Sequence, residues 1–340
     1  MRSWKKLTAL LLAGVLAGSA FTGCGKQSSD SSQPESSAAE ESSEKETTTA
    51  AEETTTAETT TVHVSPTETV STTLGTELTD INAMLDKGSD TTNNYKAKLD
   101  NFIQEGDVVQ SFTFIVYSAD GSSSLGDFKG GYGVSVKDGC ASATDAGWYQ
   151  AADFEQSQNS AYAEFTWNVP AEIQTEIDPS GEVLFGHWWS NVQQVKLSSI
   201  VCTYTRTKEV PVDGTNSASP AATLSFNDEA AKTAKIALSD LIGAEDTLQT
   251  VTFDISGTGA LGKFTGAFGV SVDKNADCAT DAGWYQTKNV CVFTDSSSLS
   301  LTWIVPDDVK ESIDPSGDVM LGYWWSDQPS ITLNLSLIHI

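Results

Sequence analysis

Residues 128–136 read FKGGYGVSV, and residues 264–272 read FTGAFGVSV. In the first run Phe128, Gly130, Tyr132, Val134 and Val136 fall on one side of an extended chain; Phe264, Gly266, Phe268, Val270 and Val272 do so in the second. The positions between them are mostly small or polar. A period of two with one apolar side is the pattern of a strand that buries one face. The chain therefore writes the same strand twice, and its surroundings are duplicated as well.

Outward from these strands, ATDAGWYQ at 143–150 returns letter for letter at 279–286. TWxVP recurs (Thr166 to Pro170, Thr302 to Pro306), as do IDPSG (Ile177 to Gly181, Ile313 to Gly317) and a tryptophan pair, Trp188-Trp189 and Trp324-Trp325. Before each copy, Leu99, Phe102, Ile103 and Asp107 match Leu238, Leu241, Ile242 and Asp246, which predicts a short helical preface. FTFIV (112–116) and VTFDI (251–255) follow as strands. Short alternating runs broken by Gly, Asp, Ser and Pro predict an all-β chain of two tandem β-sandwich, jelly-roll-like modules. No alternation of long helices with strands occurs, which excludes a parallel α/β fold. The modules are expected at 92–206 and 230–334, joined by a Pro/Ser/Thr-rich linker at 207–229.

Arg2, Lys5 and Lys6 precede an apolar run from Leu7 to Ala20 that is too short for a lasting membrane span, so residues 1–23 read as an export signal. Thr22-Gly23-Cys24 resembles a bacterial lipoprotein box, with Phe21 where leucine is usual, and implies lipidation at Cys24. From Gly25 to about Leu74 the chain is almost entirely Ser, Thr, Glu, Ala and Gln, too poor in apolar surface to offset its conformational entropy. A disordered tether is expected over 24–91, and fifty such residues span about 40 Å as a coil. The protein is thus expected outside the cell, as a monomeric surface lipoprotein that meets the membrane only through its lipid anchor.

A formal net charge of −27 repels nucleic acid and anionic lipid headgroups, and no basic cluster overrules it. An uncharged partner is favoured. Tandem copies of one module suit repeated engagement of a repeated ligand, because a second weak site gains from effective concentration.

Alternation sorts the tryptophans. Leu299, Leu301, Trp303 and Val305 share one face, so Trp303 points into the core, and Trp167 does the same after Ala163 and Phe165. Adjacent tryptophans leave a strand on opposite faces unless a bulge intervenes. Val183, Phe185, His187 and Trp189, like Val319, Leu321, Tyr323 and Trp325, make the more continuous apolar stripe. Trp188 and Trp324 are therefore expected outward, each beside a glycine. One ring of Trp148-Tyr149 and one of Trp284-Tyr285 is likewise expected at the surface. A flat ring meets the C–H face of a sugar while amide, carboxylate and hydroxyl groups meet its rim. Gln150, Gln286, Asp145 and Ser190 are the polar candidates.

The order of preface, LGxFxGxxG strand (Leu125 to Gly133, Leu261 to Gly269), GWY, TWxVP, DPSG and GxWW resembles carbohydrate-binding module family 79 of cellulosomal ruminococcal bacteria. The resemblance implies a β-sandwich that binds β-glucan, cellulose or xyloglucan on aromatic rings. Carried over, these are Trp148, Tyr149 and Trp188, then Trp284, Tyr285 and Trp324, with Trp189, Trp325, Gln150 and Gln286 as secondary residues. Tyr149 and Tyr285 stand where a second tryptophan is common in the family.

An enzyme needs more than this. Asp145 and Asp178 could pair as glycosidase carboxylates, yet ATDAG and IDPSG account for them as turn residues. His63 lies in the expected tether and His187 becomes Tyr323, which excludes a shared histidine device. No cofactor is implied, and a structural calcium on loop carboxylates is compatible with the composition. Cys140, Cys202, Cys278 and Cys291 do not align between copies, which argues against a shared metal site; disulfides stay open. Two other function classes remain: the front portion of a modular glycoside hydrolase, and a protein-binding adhesin or scaffold.

Residues 335–340, LSLIHI, match what a common transposase adapter for DNA library preparation encodes in frame. They are expected to be a scar, with the closing strand slipped by one residue after Asn334 and a natural continuation lost beyond it.

Overall fold

A computed structural model describes residues 66–218, 222–243 and 245–340 of the protein. The export signal, Cys24 and the expected tether as far as residue 65 lie outside the described residues. The strands of the first half are β1 (Thr67–Leu78), β2 (Ala83–Asp86), β3 (Asn94–Lys98), β4 (Val108–Ser118), β5 (Gly126–Ser135), β6 (Trp148–Gln150), β7 (Phe154–Gln158), β8 (Tyr162–Asn168), β9 (Glu182–Trp189) and β10 (Gln194–Pro211). Those of the second are β11 (Thr215–Ala218), β12 (Ala222–Ser225), β13 (Thr233–Ala237), β14 (Thr250–Ser256), β15 (Gly262–Ser271), β16 (Trp284–Gln286), β17 (Val290–Thr294), β18 (Ser298–Ile304), β19 (Asp318–Trp325) and β20 (Ser330–His339).

Each module is an antiparallel β-sandwich. In the first, β3-β9-β5, with β6 and β7 on β5, packs against β1-β10-β4-β8, with β2 on β10. The second repeats this with β13-β19-β15-β17, carrying β16, against β11-β20-β14-β18, carrying β12. Rings from facing sheets meet in the core: Phe114 on Phe185 at 4.8 Å, Phe128 on Phe165 at 4.3 Å, and Phe253 on Phe268 at 5.7 Å. Trp167 and Trp303 are buried, as their apolar stripes predict. The expected helical preface is one 3-10 turn per copy, Leu99–Asn101 and Leu238–Asp240. It ends there because Asp107 accepts the Gln104 N–H at 2.9 Å and bends the chain into β4; Asp246 does the same for Gly243 at 2.6 Å.

The structure corrects two boundaries. Residues 67–91, assigned to the tether, contain β1 and β2, and all twelve residues of β1 pair with β10. Serine and threonine make a solvated strand as readily as a coil once a partner strand takes their backbone groups. Ser71 and Thr207 meet at 3.0 Å through their hydroxyls, and Thr73 and Thr205 at 2.8 Å. The expected linker at 207–229 is also largely strand: β10 runs on to Pro211, and β11 and β12 both pair with β20.

These additions join the modules. β1 meets β17 through Thr76 opposite Val290, so one ten-stranded sheet runs through both sandwiches. Glu77 N donates to Asn289 O at 3.1 Å, Lys263 pairs with Glu77 at 2.8 Å, and Lys208 with Asp307 at 2.6 Å.

The expected slip after Asn334 is overturned. β20 bulges at Asn334, between Leu333 opposite Ile255 and Leu335 opposite Asp254. β10 bulges at the equivalent Ser198, between Leu197 opposite Val116 and Ser199 opposite Ile115. Ile338 then lies opposite Val251 just as Cys202 lies opposite Phe112, so the two closing strands share one register.

Candidate functional site

The outer face of β3-β9-β5-β6 carries the tryptophans. Along β5 this face presents Gly131 and Gly133, and along β9 it presents Leu184, Gly186 and Trp188. Gly131 pairs with Gly186, so bare backbone forms a floor. The Trp188 indole lies on it: a Cβ on Gly186 would sit 2.3 Å from Cη2, and one on Gly131 would sit 3.0 Å from Cζ2. Trp188 Nε1 donates to Asp153 Oδ1 at 2.9 Å, which sets the ring's rotation.

Trp148 arrives from the repeated motif. Asp145 O accepts the Trp148 N–H at 3.1 Å, Asp145 Oδ1 accepts that of Ala146 at 2.8 Å, and Thr144 Oγ1 accepts that of Gln150 at 2.8 Å. Gly147, at φ 66°, supplies the left-handed position that this turn needs. The turn lays Trp148 on Gly133, where a Cβ would lie 2.4 Å from Cζ2. Gly131 and Gly133 are two residues apart on one face, so the floors of the two rings are roughly 7 Å apart. The result is a flat pair of indoles on one side of a sheet.

The second copy repeats the Trp324 half of the arrangement, where a Cβ on Gly322 would lie 2.5 Å from Trp324 Cζ2. Over Gly269 the Met320 methyl comes nearest, 2.9 Å from a Cβ there, and Trp284 Cε3 stands beside it at 3.7 Å. Ala267 stands where the first copy has Gly131, and Asn289 where it has Asp153. Asn289 serves the junction instead, through its carbonyl to Glu77.

Polar groups border the rings. Gln150 is exposed, accepts from Trp148 Nε1 at 3.3 Å and donates to Tyr132 O at 2.9 Å; Gln286 is exposed at the equivalent place. A lysine stands over the rings in each copy: Lys96 Nζ at 4.9 Å from the Trp148 centroid, Lys235 at 4.4 Å from Trp284, and Lys232 at 5.7 Å from Trp324. Such contacts are worth about 0.5–1 kcal/mol at exposed sites, so a ligand that stacks can displace them. Glu182 pairs with Lys98 at 3.0 Å and Lys96 at 3.7 Å, and the Lys98 hydrogen bond lowers its carboxyl pKa.

Several expected residues stand elsewhere. Tyr149 and Tyr285 turn inward and stack on Trp167 at 6.3 Å and Trp303 at 6.1 Å, because neighbours on β6 and β16 leave opposite faces. They anchor the presented tryptophans from behind. Alternation turns Trp189 and Trp325 inward, yet each is 51% exposed. The cause is a bulge: Lys129 pairs with Trp189 and Gly130 with His187, which leaves Trp188 with no partner opposite it. The same shift falls between Thr265 and Gly266. Ser190 is buried and lies 2.9 Å from His187 Nε2, so it is no rim group. Neither the bulge nor the Asp153 contact has a signal in the sequence, because both depend on strands distant from the tryptophan pair.

Asp178 Oδ1 accepts from Ser180 N at 2.9 Å and Ser180 Oγ at 2.7 Å, and Asp314 holds Ser316 at the same distances. The Ser316 hydrogen bonds keep Asp314 below the usual carboxylate range, the wrong direction for a general acid. Among the described residues no three His, Cys, Asp or Glu side chains gather as a metal site would require. The four described cysteines are free; Cys202 and Cys291 are buried, and burial pushes the Cys291 thiol up to about 12.

The sequence model of the family described as Domain of unknown function (DUF5620) matches residues 89–203 and 228–336. No curated protein matches the chain. Among solved structures, a novel carbohydrate binding module from glycoside hydrolase family 9 of Ruminococcus flavefaciens FD-1 is 22% identical, covers 37% of this chain and 96% of its own, and has a TM-score of 0.34. The N-terminal CBM22-1-CBM22-2 tandem domain from Paenibacillus barcinonensis is 11% identical over 79% of this chain and 93% of its own, at a TM-score of 0.21. PNGase F, a glycosylasparaginase from Flavobacterium meningosepticum, is 10% identical over 79% and 96%, at 0.25. All three TM-scores lie below 0.5.

Proposed function

The chain belongs to the family described as Domain of unknown function (DUF5620), and from that premise we propose that its two modules bind plant cell-wall polysaccharide of the β-glucan, cellulose or xyloglucan type without cleaving it. The observation that carries this reading is the pair of indoles that the same motifs make twice, Trp148 with Trp188 and Trp284 with Trp324, of which Trp148, Trp188 and Trp324 lie on glycine backbone. A flat apolar surface takes the C–H face of a pyranose, and the polar groups at its edge, Gln150, Gln286 and Asp153, meet the hydroxyls. The resemblance to carbohydrate-binding module family 79 supports the same ligand class. An export signal and Cys24 would hold the modules at the bacterial surface, with the low-complexity segment as spacer.

Avidity on this reading comes from two platforms on modules that a shared ten-stranded sheet joins, rather than from a flexible linker. The test is retention of the protein on insoluble cellulose and β-glucan, beside an assay for released reducing sugar. Binding that is lost in the Trp188→Ala, Trp324→Ala double variant, with its fold intact and no sugar released, is the expected result. Full retention by that variant would sink the platform assignment, and sugar release by the purified chain would sink the non-catalytic reading.

A further inference from the structure

The geometry points to a second saccharide site, separate from the tryptophan platforms, in the cleft where the two modules meet. The cleft has a volume of about 490 Å³, within the range of small-molecule sites. Of the six exposed large apolar side chains among the described residues, three border it: Tyr117 at 39%, Tyr162 at 37% and Trp325 at 51% exposure. Tyr117 and Tyr162 are cross-strand partners on β4 and β8, with ring centroids 5.0 Å apart, and Trp325 comes from the other module at the end of β19. Neither module alone has this arrangement, and Trp189, the counterpart of Trp325, has Lys87 Nζ over its ring at 4.2 Å instead.

Polar groups complete the cleft. The Lys263–Glu77 ion pair that ties the modules lines it, and the Glu77 side chain is only 6% exposed. Asp80 stands at its lip in a turn held left-handed without glycine, at φ 59° for Asp80 and 51° for Asn82. Asn82 Nδ2 donates to Asp80 O at 3.0 Å and holds that turn. Residues kept in such backbone conformations need surrounding structure to hold them, and they gather at ligand clamps.

The composition selects the ligand class. Exposed rings beside the exposed Asp80 carboxylate match a neutral sugar, whose C–H face stacks while a hydroxyl donates to that carboxylate. An anionic ligand would meet Glu77 and Asp80 with only Lys263 as counter-ion, already paired. The ligand class equals that proposed for the platforms, but the residues are distinct, so either assignment can fail alone.

The experiment uses the full chain with Trp148, Trp188, Trp284 and Trp324 all changed to alanine, and cellohexaose as the probe, followed by titration calorimetry and ligand-observed NMR. One binding site per chain is expected to persist, and adding Trp325→Ala or Tyr117→Ala is expected to weaken it about ten-fold, the loss of one stacking contact. Asp80→Asn, which leaves every ring in place, is expected to weaken it as well and guards against misfolding of the ring variants. No binding to the platform-less chain overturns the cleft site, as does binding indifferent to all three cleft changes. If the platform changes leave binding intact and the cleft changes abolish it, the platform reading fails while this one stands. Concentration-dependent dimerisation that Trp325→Ala abolishes, without effect on cellohexaose, would mark the cleft as a self-association surface and overturn the proposal.

Discussion

The indole of Trp188 rests on the backbone of Gly186, where an added methyl group would sit 2.3 Å from its Cη2 atom. Ring and glycine are two residues apart on one strand, so the platform is written into β9 itself. Gly186→Ala with Gly322→Ala should therefore lift both rings without removing them. Polysaccharide retention is expected to fall about ten-fold, while alanine's lower conformational entropy in the unfolded chain offsets part of the stability cost. A column-retention assay on insoluble glucan, with thermal melting alongside, checks this. Unchanged retention would mean that flatness is irrelevant to binding.

Tyr132 and Phe268 occupy equivalent strand positions, and the Tyr132 hydroxyl is buried with no hydrogen-bond partner. Burial also drives its phenol pKa above the ordinary tyrosine range. Tyr132→Phe should raise the unfolding free energy by about 1 kcal/mol, because an unsatisfied buried hydroxyl is removed at constant shape. Denaturant melts of the two proteins measure it. A loss of stability would show that the hydroxyl has a partner in solution.

His187 is buried beneath the first platform, with Nδ1 3.1 Å from Leu85 O and Nε2 2.9 Å from Ser190 Oγ. Burial pulls its pKa below the ordinary histidine value; Lys87 adds to this, and the Leu85 hydrogen bond and Asp86 oppose it. The unfolded chain, with a histidine near 6.5, then binds more protons than the folded one just below that pH, so stability rises with pH across the window. The first module should lose stability as pH falls from about 7 through 6.5 toward the folded pKa. His187→Tyr, copying Tyr323, should flatten that stretch of the profile. Denaturation midpoints between pH 5.5 and 8 decide the matter, and a profile identical in both proteins removes His187 as the cause.

Gly75 in β1 lies so close to β17 that a Cβ there would stand 2.0 Å from the Cys291 carbonyl oxygen. Gly75→Val should force the sheet open at the junction. The expected result is a larger radius of gyration in small-angle scattering and a single unfolding transition that splits in two. A compact, single-transition variant would show that the ion pairs Lys263–Glu77 and Lys208–Asp307 suffice to hold the modules together.

Much of the fold was legible along the chain. The alternation in FKGGYGVSV assigned Phe128, Tyr132 and Val134 to the core, and the stripe before Val305 did the same for Trp303; both are buried. ATDAGWYQ announced a turn followed by a presented ring, which is how Trp148 reaches Gly133. Less was legible where composition misled. Ser71, Thr72 and Thr73 have the composition of a coil and the structure of a strand, since β10 satisfies their backbone groups.

Periodicity belongs to successive residues, and the sequence by itself determined everything that depends on it: two β-sandwich modules, their inward stripes, and tryptophans destined for one outer face. Pairing belongs to residues far apart. Whether Trp189 follows the alternation depends on Lys129 and His187, and whether two modules move as one depends on Thr76 meeting Val290. The tertiary structure alone decided these, because a bulge and a shared sheet edge arise only when distant backbones compete for the same hydrogen bonds.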